Sequence, residues 1–75
     1  MAARRWVRGL FDAVGLLGRF PRRGRLVPEV NRAEIREILY RSHRVIYRLS
    51  PRLVEILTVR HGRQLLDERE IEERE

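Results

Sequence analysis

Two histidines and seventeen arginines hold most of the chemistry available to this 75-residue sequence, which has neither cysteine nor lysine. A histidine titrates near neutral pH and can move protons. An arginine stays charged and offers a planar fork of donors to carboxylate or phosphate. His61 ends an apolar run just before Gly62-Arg63, which makes it the one candidate proton shuttle on the sheet described below. The plainer alternative is a strand-end histidine that only hydrogen-bonds a backbone carbonyl, since geometry has to precede a catalytic role. His43 falls in a turn and is expected to be exposed. Arg41, Arg44, Arg60, His61 and Arg63 form the candidate partner-binding set, a cationic rim for phosphate or acidic side chains. Its alternative is a solvated charge set that keeps a small domain soluble. Without cysteine there are no disulfides and no thiolate metal sites, and no cofactor or metal is expected.

The elements that must position these residues lie in 36–63. Three runs rich in Val, Ile, Leu and Tyr are separated by two polar breaks, Arg41-Ser42-His43-Arg44 and Ser50-Pro51-Arg52. Apolar runs of this length between turn residues predict a three-stranded antiparallel meander, with strands over 35–41, 44–49 and 53–61. Centring the second turn on Pro51-Arg52 sets Leu49 opposite Val54, Tyr47 opposite Ile56 and Val45 opposite Thr58. Centring the first on Ser42-His43 sets Tyr40 opposite Val45 and Ile38 opposite Tyr47. All of these share one face, because strand side chains alternate with period two. The other face then carries a charged row, Glu37 opposite Arg48 and Arg48 opposite Glu55, each cross-strand pair contributing roughly 0.2–1 kcal/mol.

Residues 2–18 predict an amphipathic helix, with Trp6, Val7, Leu10, Phe11, Val14 and Leu17 recurring at spacings of three and four. Gly18 suits its C-terminal cap. The helix persists only if that stripe is buried, and the Ile38/Tyr40/Tyr47/Ile56 face is its natural floor. Trp6, Phe11, Tyr40 and Tyr47 are therefore assigned to the core. Residues 19–34 predict a loop punctuated by Pro21, Gly24 and Pro28, tacked down by Phe20, Leu26 and Val27. Asn31-Arg-Ala-Glu34 resembles a capping box and predicts one helical turn before the first strand. Arg22, Arg23 and Arg25 are read as ordinary basic surface.

The fold class is thus α+β, a single domain over 1–66 with one helix on a three-stranded meander. Residues 67–75 form an acidic tail, and the whole stretch 64–75 has few apolar anchors and is expected to be frayed and solvated. Residues 1–66 hold 15 arginines against five acids, a net of +10, and residues 67–75 hold six acids against two arginines, a net of −4. The body suits an acidic partner or nucleic acid, and the tail does not. No exposed aromatic row or recognition helix interleaves with the arginines, so direct nucleic-acid binding has little support at this level. No apolar stretch approaches the ~20 residues that span a bilayer, and the start lacks the apolar run of a signal peptide. A cytoplasmic protein is expected.

Three stretches resemble the ParE/RelE superfamily of bacterial type II toxin–antitoxin toxins: Phe20-Pro-Arg-Arg-Gly-Arg-Leu-Val-Pro-Glu29, Arg36-Glu-Ile-Leu with His43-Arg-Val-Ile-Tyr-Arg48, and Val54-Glu-Ile-Leu-Thr-Val-Arg-His-Gly-Arg63. Members usually run β-α-α-β-β-β, so the opening strand and first helix are expected to be missing. A ParE-like member is implied to arrest growth by binding DNA gyrase, to take part in plasmid stabilisation, and to be neutralised by a cognate ParD-like antitoxin. The antitoxin would dock on an apolar groove and an unpaired strand edge; a homodimer burying the same gap is the other way to close it. A RelE-like member is instead an endoribonuclease acting on ribosome-bound mRNA. The positions matching its basic set are Arg44, His61 and, approximately, Arg63, with Glu37 and Leu39 where RelE-like enzymes present bases. A third reading is a non-toxic remnant that still binds antitoxin.

Overall fold

The structure, a computed structural model, describes residues 2–74, with side chains described for 4–73. Helix α1 spans Ala2–Arg19, and four strands follow: β1 Arg25–Leu26, β2 Ile35–Tyr40, β3 His43–Leu49 and β4 Val54–His61. A second helix, α2, spans Glu68–Arg74. The strands form one antiparallel sheet in the order β1-β2-β3-β4. The fold is α+β, with one more strand than the meander expected from the sequence. The extra strand is two residues long and pairs Arg25 with Glu37 and Leu26 with Arg36. So short a pairing inside a Pro- and Gly-punctuated loop leaves no period to read.

Period two does sort the strand faces. Ile38, Tyr40, Val45 and Tyr47 share one face, while Glu37 and Arg48 share the other. The register differs from the expected one by two residues. Tyr40 pairs with His43, Ile38 with Val45 and Arg36 with Tyr47, so Glu37 faces Ile46 rather than Arg48. The cause is a turn of only two residues, Arg41-Ser42, made possible by a left-handed backbone at Arg41 (φ 53°). A β-branched residue there would be strained; arginine tolerates it at modest cost. His43 is therefore a half-buried strand residue rather than an exposed turn residue.

Across β3 and β4 the pairs Leu49–Val54, Tyr47–Ile56 and Arg48–Glu55 follow expectation. A bulge at Leu57 then shifts the ladder, so Ile46 pairs with Thr58 and Val45 with Val59. An extra residue on one strand bends it and turns the next side chain over. Thr58 leaves the helix-covered face and Val59 takes its place.

Both faces of the sheet are covered. On the α1 side, Leu17 of the helix and Val45 and Tyr47 of β3 are all fully buried. Trp6 meets Tyr40 edge-on at 5.5 Å, and Tyr40 Oη donates to the Trp6 carbonyl at 2.8 Å. On the other face Val27, Val30, Ile35, Ile46, Leu57, Leu66 and Ile71 form the hydrophobic cluster. Two of its members come from the segment expected to be a solvated tail. Residues 64–71 instead close this second core layer, with Ile71 fully buried. Asp67 caps α2 by accepting the Arg69 N–H at 2.9 Å, and Glu68 and Glu70 suit the positive end of its dipole. A seven-residue helix is marginal alone; the buried Leu66 and Ile71, at about 1.5–3 kcal/mol each, hold it.

Phe11 is assigned to the core by its helical spacing, but it is 71 % exposed. Among the described residues nothing packs on the outer side of the helix, so only the Trp6/Ala13/Leu17 side is covered. Phe20 is 61 % exposed as well, and the loop is anchored by fully buried Val27 instead.

Candidate functional site

The five arginine and histidine positions of the expected rim divide between the two faces. Arg44 and Arg60 are ladder partners, and His43 and His61 are the next pair. Adjacent strand positions point to opposite faces. Arg44 and Arg60 therefore lie on the α2 side, and His61 on the α1 side.

Arg44 is buried and saturated. Its Nε donates to Glu37 Oε1 at 2.8 Å, and Nη1 and Nη2 fork onto the two Glu29 oxygens at 2.7 Å each. Nη1 also donates to the Gln64 carbonyl at 3.0 Å. Glu37, itself buried, takes a second arginine, Arg25, at 2.7 Å. Glu29 also accepts the Leu66 backbone N–H at 2.9 Å. The Arg44 fork holds the Glu29 carboxyl well below its ordinary range, at about 2, against the opposing effect of burial. The same carboxylates raise the Arg44 pKa. This network ties three strands, the Pro28-Glu29 loop and the C-terminal segment together. Arg60 is likewise engaged, donating to the Leu65 carbonyl at 3.2 Å and to the Glu70 carboxylate.

Arg41, His61 and Arg63 are exposed. Arg41 lies 5.6 Å over the Tyr40 ring. His61 Nδ1 accepts the Arg63 N–H at 3.2 Å, and the His61 N–H donates to Gln64 Oε1 at 3.1 Å. His43 stands between Trp6 (5.0 Å) and His61 (5.7 Å), ring edge to ring face. The three positions matching the nuclease set, Arg44, His61 and Arg63, are not gathered in one cleft.

A different surface stands open. On α1, Val7 and Phe11 are exposed beside Arg4, Arg8 and Asp12, and together they line an apolar hollow. On β4, Ile56 and Val59 lie on the α1 side of the sheet yet are 39 % and 37 % exposed. The helical positions of Val7, Leu10, Val14 and Phe11 fall on one flank of α1. Among the described residues no strand pairs with the outer edge of β4. The α1 hollow is thus rimmed by charge, and the two exposed β4 residues lie on a strand whose outer edge is unpaired among the described residues. The apolar spacing of α1 was readable in the sequence, but which of its residues face solvent was not.

The sequence comparison places this small α+β domain in the class of type II toxin–antitoxin toxins. Residues 2–66 match the family model described as "ParE toxin of type II toxin-antitoxin system, parDE", and the chain belongs to this family. Helix α2 lies beyond the matched span. No curated protein and no solved structure gives a significant match. No helix is long and apolar enough to cross a membrane among the described residues.

Proposed function

We propose that this toxin arrests growth by binding DNA gyrase and is neutralised by a cognate ParD-like antitoxin. The observations that support the reading are the apolar hollow of Val7 and Phe11 on α1 and the exposed Ile56 and Val59 on β4, whose outer edge is unpaired among the described residues. Two modes of capture fit it: an antitoxin helix laid against the apolar flank, or an added strand along β4. Arg41, His61 and Arg63 supply an exposed basic rim for acidic side chains of either partner. Arg44 and Arg60 serve the same interface indirectly by holding the sheet and α2 in place.

A binding mechanism also suits the chemistry better than RNA cleavage. Cleavage needs a base, an acid and cations converging on one phosphate. Here Arg44 is buried on one face and His61 sits on the other.

The test is induction of the chain alone in a bacterium, followed by purified gyrase in a supercoiling assay. Loss of colonies, DNA synthesis stopping before protein synthesis, and inhibited supercoiling are the expected results. Protein synthesis stopping first, with intact supercoiling, would replace gyrase by the ribosome as target. Unchanged colony counts with soluble protein would leave an antitoxin-binding remnant.

A further inference from the structure

The end of the molecule where α1 meets the β3–β4 turn carries an aromatic ring among arginines. Phe20 is 61 % exposed, with Arg19, Arg22 and Arg23 exposed around it. The β3–β4 turn adjoins this loop, since Pro21 lines a cleft with Arg52 and Leu53. Arg52 is exposed too, and Leu53 is 52 % exposed. None of these four arginines has an ion-pair partner among the described residues. They contrast with Arg25, Arg44, Arg48 and Arg60, whose carboxylates are within reach.

The loop that presents them is held firmly. Fully buried Tyr47 donates its hydroxyl hydrogen to the Pro21 carbonyl at 2.8 Å and accepts the Gly24 N–H at 2.9 Å. Arg36 Nη1 donates to the Gly24 carbonyl at 2.9 Å. The Phe20 N–H closes onto the Leu16 carbonyl at 2.9 Å, and the Arg23 N–H onto the Phe20 carbonyl at 3.1 Å. Phe20 therefore stands outward on a fixed scaffold, and little ordering is left for a ligand to impose.

We propose that this loop and the adjoining turn bind a single-stranded polynucleotide, with the arginines on its phosphates and Phe20 stacked on a base. Guanidinium forks match phosphate oxygens, and an aromatic face accepts any base. The sequence shows no aromatic row or recognition helix among the arginines; the structure places one exposed ring, Phe20, among them. The proposal does not depend on whether gyrase is the toxin's target.

The test is fluorescence anisotropy of a labelled 15-nucleotide oligothymidylate titrated with the full chain between 50 and 200 mM salt. Binding is expected to weaken with salt at a log–log slope of about 2–3, for three or four neutralised phosphates. Phe20→Ala should weaken it about tenfold or more, and Arg22→Gln with Arg23→Gln should weaken it and flatten the slope by about 1.4. Arg4→Gln with Arg5→Gln, roughly 20 Å away along α1, should change it less than about twofold at the higher salt, where screening is near 8 Å. Circular dichroism confirms that each variant is folded. Absent binding overturns the proposal. So does a Phe20→Ala variant binding like the parent, or an equal loss from the Arg4/Arg5 pair. Tighter binding to a duplex, or binding to phosphatidylserine vesicles but not to the oligonucleotide, would assign the patch to a different anionic surface.

Discussion

Glu37 on β2 and Arg44 on β3 are joined in the interior, Oε1 to Nη2 at 2.7 Å, with side-chain exposures of 0 % and 6 %. Neither residue faces the other across the ladder, since Glu37 pairs with Ile46 and Arg44 with Leu39. The contact is diagonal, and Arg44 spans from it to Glu29 and the Gln64 carbonyl. The most conspicuous base on the middle strand is thereby committed to structure.

Removing Arg44 should unfold much of the domain. Arg44→Ala takes the only arginine from Glu29 and leaves the fully buried Glu37 with Arg25 alone among the described residues, at an expected cost of about 3–5 kcal/mol. Arg41→Ala, at an exposed site, should stay within about 0.5 kcal/mol. Urea denaturation of the two variants checks the contrast. Equal midpoints would show that the buried network contributes nothing.

Acid should loosen the C-terminal segment. The Glu29 carboxyl falls from an ordinary 4.5 to about 2 in the folded state because Arg44 favours its charged form. Its contribution is complete above pH 4.5 and is lost as pH falls through about 2, being on the order of 3 kcal/mol at neutral pH. Melting temperature followed from pH 7 to pH 2 should drop across that window. In Glu29→Gln the neutral-pH value should already be lowered and the drop shallower.

Ile71 distinguishes a docked helix from a solvated tail. Ile71→Ala removes a fully buried side chain and should cost about 2–4 kcal/mol. The measurement is the unfolding free energy of the full-length chain. A change under about 0.5 kcal/mol would mean that α2 does not pack.

Gly24 is required by close approach. A Cβ there would lie 2.6 Å from the Glu37 carbonyl oxygen and also press on the Tyr47 ring. Gly24→Ala should destabilise by about 1–3 kcal/mol. Tyr47→Phe, which leaves the Gly24 N–H unpaired, should cost about 1–3 kcal/mol. The double variant should cost less than the sum, because both act at one contact.

The sequence by itself determined α1, the three long strands and the faces that β2 and β3 present. Alternation along Ile35–Tyr40 and His43–Leu49, and the three-and-four spacing in α1, are properties of neighbouring residues, and they sort side chains before any partner is known. The family resemblance rests on the same local runs. Tertiary structure decided the rest. The two-residue Arg41-Ser42 turn slid the register by two positions without changing faces, and the Leu57 bulge exchanged Thr58 for Val59. Glu37, an acid on the same strand face as Ile35 and Ile46, was a local hint of a buried pair, but its partners Arg25 and Arg44 come from two other strands. Whether Phe11 and Phe20 are buried depended on what lies beside α1, and whether residues 64–71 dock depended on an apolar face built by four separate segments. Contacts of that kind join residues distant in the chain, so a periodicity read over a few residues holds no record of them.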